Sequence, residues 1–234
     1  MKSRPGKSVL IAESLLLMLL VGLVGWRALS PRQPTYSGTR LSLWLDELAA
    51  LDYAKRADPN TPPARAVRAI GTNAIPWLLA DLRTKRDPWA WRINQLLMKQ
   101  PLIKYRLPDV NRRLSRATFG FQALGEVGAP AIPSLLALVE DNPGYIPSAL
   151  AGIGAPALPA LSQCLTNTRS YATSIGPFVP IPGNSIGALY NAIQAGRISP
   201  AQAAFLLPTI RQWAQSTNQL AARYATGFLR DLGP

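Results

Sequence analysis

Apolar residues fall along this chain in two regimes. Residues 9–26 (VLIAESLLLMLLVGLVGW) are apolar almost without break, with Glu13 as the one charge among them. Beyond residue 40 the pattern becomes periodic. Leu41, Trp44, Leu45, Leu48 and Leu51 recur at i, i+3, i+4, i+7 and i+10, which paints one face of a helix. Between the two regimes, PRQPTYSG at 31–38 carries two prolines and a Ser-Gly pair that resist helix, so 30–39 reads as an extended linker. No stretch shows a convincing alternation or a β-branched run. The expected fold class is all-α.

Within the periodic region a nine-residue phrase recurs. Ile70-Gly71-Thr72-Asn73-Ala74-Ile75-Pro76-Trp77-Leu78 matches Val127-Gly128-Ala129-Pro130-Ala131-Ile132-Pro133-Ser134-Leu135, and again Ile153-Gly154-Ala155-Pro156-Ala157-Leu158-Pro159-Ala160-Leu161. The β-branched residue closes the apolar face of one helix. Glycine, favoured in left-handed geometry, ends that helix. The proline falls in the first turn of the next helix, where its missing N–H costs nothing. Each copy thus predicts helix, tight turn, helix: 64–70 into 74–82, 111–127 into 130–140, and 145–153 into 156–165. The glycines stand 57 and 26 residues apart, so the first interval carries an insertion, 83–116. An irregular helical bundle with proline-started helices is the competing reading.

The C-terminal third is less regular. Residues 167–184 contain GPFVPIPG and read as an extended loop. Helix resumes at 185–195. Ser199-Pro200-Ala201-Gln202 has the order of a capping box with a first-turn proline. Pro208 should kink or divide 200–215. A last amphipathic helix at 220–232 places Tyr224 and Phe228 on one side.

The repeated phrase resembles HEAT repeats, in particular the short HEAT-like repeats of the phycobilisome-lyase type, which belong to the armadillo-like helical folds. Gly125-Glu126-Val127-Gly128-Ala129-Pro130-Ala131-Ile132-Pro133-Ser134-Leu135 carries the likeness most strongly. Tyr36-Ser37-Gly38-Thr39-Arg40-Leu41-Ser42-Leu43-Trp44-Leu45 is similar to a lead-in found ahead of such arrays in membrane-anchored bacterial members. The likeness covers about residues 36–165. It implies an α-solenoid over 40–234 used for protein–protein contacts, and it implies no reaction.

The apolar segment has three readings: an uncleaved transmembrane anchor at 9–29, a cleaved secretory signal, or a buried core helix. Its 18 residues, at about 1.5 Å each, just cross a hydrocarbon core of about 30 Å. Trp26 sits where an interfacial aromatic belongs, and bulky Trp26 or Pro31 beside each candidate cut disfavours cleavage. The anchor is therefore preferred. Lys2, Arg4 and Lys7 in the basic tail 1–8 outweigh Arg27, Arg32 and Arg40, which follow at increasing distance. That bias puts the N-terminus in the cytoplasm and the body outside.

Composition then removes most chemistry. There is no histidine, which excludes His-dependent triads and His-ligated zinc, and a lone Cys164 excludes a disulfide framework. Twelve carboxylates are scattered, and the adjacent pairs Asp46/Glu47 and Glu140/Asp141 diverge rather than converge. Cys164 shares an apolar face with Leu158, Leu161 and Leu165 and reads as core. No phosphate-cradling glycine loop occurs. No enzyme, cofactor or metal site is expected.

Charge concentrates in 83–116, with ten basic residues against Asp87 and Asp109, and with Trp89, Trp91 and Tyr105 interleaved. Trp89, Ile93, Leu96 and Leu97 fit one apolar stripe, and Trp91 falls off it. A solvated helix face over core tryptophans competes with a contact surface. Arg86, Trp91, Arg92, Arg112, Arg113 and Arg116 are the candidate partner contacts. The functional expectation is a membrane-anchored scaffold for a protein partner, with an acidic protein as the candidate class. The alternative is a basic module binding nucleic acid or another polyanion through 83–116, which requires a cytoplasmic body for nucleic acid. A structural spacer without a ligand is the third class.

Overall fold

A computed structural model describes residue 18, residues 32–84, residue 93, and residues 109–167, 170–173 and 176–232. All but residue 18 of the anchor read at 9–29, and most of the basic insertion, therefore lie outside the described residues. Among the described residues, no helix is long and apolar enough to cross a membrane. The chain divides into two units, Met1–Gln33 and Pro34–Pro234, and everything below concerns the second.

That unit opens on a two-stranded antiparallel ribbon, β1 (Thr35–Tyr36) and β2 (Thr39–Arg40). Ser37 and Gly38 turn it with φ of 49° and 77°, the positive pair that a tight hairpin loop needs. So the end of the linker read at 30–39 is part of the folded unit. The Trp44 indole N–H donates to the Tyr36 carbonyl at 3.3 Å, and the two rings tilt together 6.5 Å apart. This holds the ribbon on α1 (Leu41–Ala50), whose Leu41, Leu45 and Leu48 are buried as their spacing predicts.

The rest is mostly helical. In chain order follow α2 (Tyr53–Ala57), α3 (Pro62–Ile70), α4 (Ile75–Leu82), α5 (Val110–Leu124), α6 (Ile132–Ala137), α7 (Ile146–Ile153) and α8 (Leu158–Thr166). After them come strands β3 (Ser170–Thr173) and β4 (Gly176–Pro180), then α9 (Ile181–Gln194), α10 (Pro200–Ala203), α11 (Leu207–Ala214) and α12 (Gln219–Leu232). One continuous cluster of buried Leu, Ile, Val and Ala side chains joins these helices.

The repeated phrase folds as its residues require, with two corrections. Each copy is a helix, a 3-10 turn and a second helix whose second residue is proline: Pro76, Pro133 or Pro159. The glycine closing the first helix is Gly71, Gly125 or Gly154, at φ of 65°, 58° and 93°. Their ψ values are −143°, −139° and −148°. This is the extended positive-φ region that glycine alone occupies, not the left-handed helical region the phrase suggests. The second correction concerns register. In the middle copy the closing residue is Gly125, not Gly128, and the helix ends at Leu124. The turn Gly125–Ala131 is longer than Gly71–Ala74 or Ala155–Ala157, and it absorbs the difference. Val127 is accordingly 40% exposed, while Leu124 at 1% closes the apolar face. Gly128 is retained for room, since a Cβ there would stand 3.2 Å from Ile153 Cγ1.

First helices pack in sequence, α3 on α5, α5 on α7, α7 on α9, and α9 on α12. Second helices lie beside them: α4 on α5, and α8 on α7 and α9. The three 3-10 turns touch one another in order. Orphan carbonyls at second-helix ends are capped from the following unit. Asn142 Nδ2 donates to the Leu82 carbonyl at 2.7 Å, and the Trp213 indole donates to the Leu165 carbonyl at 2.8 Å.

The loop expected at 167–184 contains the β3–β4 antiparallel pair, with Ser170 opposite Pro180 and Tyr171 opposite Val179. Helix α9 starts at Ile181 rather than 185. Pro182 is its second residue, as in the other proline-started helices, and the Ser185 hydroxyl donates to the Ile181 carbonyl at 2.8 Å. The capping box at Ser199 is present: Ser199 N–H reaches Gln202 Oε1 at 2.9 Å, and Gln202 N–H reaches Ser199 Oγ at 3.2 Å. Pro208 divides its segment into α10, a 3-10 turn and α11.

Candidate functional site

The six residues proposed from sequence divide into two groups. Arg86, Trp91 and Arg92 lie outside the described residues. Arg112, Arg113 and Arg116 stand on the first turns of α5, which Asp109 opens by accepting the Asn111 N–H at 2.9 Å. Arg116 faces inward. Its guanidinium meets Asp81 Oδ2 at 2.8 Å and Asp46 Oδ1 at 3.5 Å, with Arg116 and Asp81 side chains each 18% exposed. Arg112 joins the same Asp46 at 3.3 Å from a position 67% exposed. This cluster ties α1, α4 and α5 together. Arg113 is half-buried, and no ion pair links it to a carboxylate among the described residues.

An open surface adjoins these arginines along α5. Ser115, Phe119 and Gln122 follow at i, i+4 and i+7, and line a groove with Ser148 of α7, Asn191 of α9 and Arg197 beyond it. The hollow measures about 320 Å³. Beside it two backbones approach closely. A Cβ on Gly152 would lie 2.5 Å from Gln122 Cγ and 2.8 Å from Gln122 Cα, so only glycine lets α7 sit this near α5. Arg56 forms one wall. Its guanidinium donates to the Ala49 carbonyl at 3.1 Å and to the Leu51 carbonyl, at the C-terminal end of α1 where a cation is favoured. The same group lies 4.0 Å from the centre of the Phe119 ring. No carboxylate is among the residues lining this hollow.

Arg197 is placed by a turn. The Arg197 N–H reaches the Ala192 carbonyl and the Gly196 N–H reaches the Ile193 carbonyl, both at 2.9 Å. With Gly196 at φ 68°, this is a Schellman ending to α9.

A second hollow of about 480 Å³ opens between α9 and α12 and shares Asn191 with the first. Tyr190 and Phe228 meet edge to face at 6.3 Å, and Tyr224 is 44% exposed. Gly187 and Gly227 leave its walls without side chains. Its one carboxylate, Asp231, accepts from Arg230 Nε at 2.8 Å and from the Tyr190 hydroxyl at 3.2 Å. The Arg230 hydrogen bond holds the Asp231 carboxyl below its ordinary value.

Cys164 is buried at 2% exposure, as its apolar neighbours predict, and burial pushes its thiol up to about 11. It is inert rather than nucleophilic at neutral pH.

No family model, curated protein or solved structure matches this chain. The groove must speak for itself.

Sequence reasoning passed over Arg56, Phe119, Gln122, Ser148, Asn191 and Arg197. One signal was available: 115, 119 and 122 form a half-polar stripe beside the buried stripe Leu114, Ala117, Phe121 and Leu124. The others come together only through packing of α5, α7 and α9.

Proposed function

We propose that this chain is a membrane-anchored, non-enzymatic scaffold of HEAT-like repeats that binds a protein partner along the groove of its first helices. The observation that carries the reading is the groove itself, which crosses α5, α7 and α9, the first helices of successive units. Stacked helix pairs present such a face as an extended binding surface. The recurring order of helix, positive-φ glycine, 3-10 turn and proline-started helix supports the HEAT-like solenoid. The apolar run at 9–29 is the anchor in this reading, with the N-terminus cytoplasmic and the body outside.

The polyanion alternative draws on 83–116, and two of the arginines described in that segment are engaged within the chain itself. Arg112 and Arg116 are already neutralised by Asp46 and Asp81, which leaves them little charge to offer phosphates.

The test is photo-crosslinking in the native cell, with benzoylphenylalanine replacing Ser148 or Asn191 in the groove, or Glu126 on an exposed turn. The same protein should be captured from both groove positions and not from Glu126. Equal capture from all three, or none from the groove, would remove the scaffold reading. Reporters fused after Pro234 test the orientation. A reporter active only in the cytoplasm would reverse it.

A further inference from the structure

We propose that the corner formed by the β1–β2 ribbon and the first turn of α1, bearing Tyr36, Arg40 and Leu43, docks on the anionic lipid surface of the membrane that holds the anchor. The inference deepens the membrane-anchored reading and rests on it. Its basis is a rigid, basic and apolar corner tied closely to the end of the apolar run.

Tyr36 is 42% exposed and Leu43 53%, so two large apolar side chains meet water within eight residues of chain. Scattered exposed apolar residues are ordinary on any protein surface. These two coincide with stiffness, charge and a tether. The Leu41 N–H donates to the Pro34 carbonyl at 3.0 Å, and the Trp44 indole bond to Tyr36 closes the ribbon onto the helix. Both side chains therefore stand on ordered backbone, which lowers the entropy a contact must overcome.

The charge is of one sign. From Pro34 to Leu45 the one charged residue is Arg40, which is exposed and joins no ion pair among the described residues. The approach to the corner adds Arg27 and Arg32, and no carboxylate occurs before Asp46. Asp46 is held by Arg112 and Arg116, and exposed Glu47, one turn past Leu43, bounds the patch. Tyrosine and leucine beside arginine suit the headgroup layer, where rings lie at the interface and guanidinium groups meet phosphates.

The covalent chain selects the occupant. With the anchor ending at residue 29, Tyr36 follows seven residues later, a reach of at most about 25 Å. Lipid is thus always at hand, and a weak contact is favoured because it is intramolecular. A separate protein has no such advantage at this corner.

The experiment places the full chain in nanodiscs of phosphatidylglycerol and phosphatidylcholine with a doxyl quencher near the headgroups. Tyr36→Cys, Leu43→Cys or Val127→Cys, each in a Cys164→Ser background, carries a nitrobenzoxadiazole label. Val127 is exposed but lies outside the corner. Labels at 36 and 43 should lose most of their fluorescence, and the label at 127 should keep its own. Arg40→Gln should lower the ratio of docked to free corner about fivefold. Leu43→Ser, read from the label at 36, should lower it about tenfold, with circular dichroism unchanged. Equal quenching at all three positions overturns the proposal, as does quenching that neither Arg40→Gln nor omission of phosphatidylglycerol reduces. A photo-crosslink from benzoylphenylalanine at 43 to a protein, in place of quenching, would give the corner to that protein. A chain inserted in discs but unquenched at 36 and 43 keeps the anchor and discards this contact. A chain recovered free of lipid discards the anchor and the contact with it.

Discussion

Helix α5 carries two adjoining polar strips that the fold treats in opposite ways. On one, Arg112 and Arg116 lie four residues apart and turn toward Asp46 and Asp81, where their charge is cancelled. On the other, Ser115, Phe119 and Gln122 border a hollow whose positive charge comes from other elements, Arg56 and Arg197. The more basic face is the structural one. Charge density along a sequence therefore does not locate available charge, because a guanidinium paired with a carboxylate of its own chain offers less of its charge to a ligand.

The comparison can be broken at several strengths. The largest effect is expected beside the groove, where α7 meets α5. Gly152→Ala places a methyl against the main chain of Gln122, which cannot move as a side chain can. It should cost about 3 kcal/mol in chemical denaturation. A cost below about 1 kcal/mol would mean that α5 and α7 can part without loss.

Next comes the structural face. Arg116→Met leaves Asp81 partly buried without its ion pair, and should lower stability by about 2 kcal/mol while leaving groove binding intact. Asp81→Asn in the same background should recover part of that loss. An additive double mutant would show that the pair is not coupled.

Arg112 offers the contrast. Its side chain is 67% exposed, so Arg112→Ser should change stability by no more than about 0.5 kcal/mol. A loss as large as that of Arg116→Met would merge the two arginines into one network.

The smallest effect belongs to a site on neither face. The Cys164 thiol moves from an ordinary 9.0 to about 11 on folding. Since the folded state holds the proton more tightly, this contribution is complete below pH 9 and is lost as pH rises toward 11. Stability should be slightly lower at pH 9 than at pH 7 from this source, by less than about 1 kcal/mol, and Cys164→Ser should abolish that difference.

Legibility followed the range of the interaction. The buried stripe of α1 was readable because helical period is local, and so were the prolines that open the second helix of each repeated copy and the Ser199 capping box, whereas the proline-led start of α9 was read as loop. The helix end in the middle copy was misread. Gly125 and Gly128 both fit a helix terminus by type, and the choice between them rests on which backbone reaches positive φ. Arg116 was singled out for its charge. Its partners stand 35 and 70 residues away, and no local rule connects them.

From its residues alone, then, this chain specified helices, their proline-marked starts, their glycine ends and the inert burial of Cys164, because each follows from torsional limits and apolar period within a few residues. The folded arrangement settled which arginines are neutralised, which glycine caps and which admits a neighbour, and where a groove opens. Those outcomes depend on distances between segments far apart in the chain. Such distances are set by how closely two backbones can pack, as at Gly152 and Gln122.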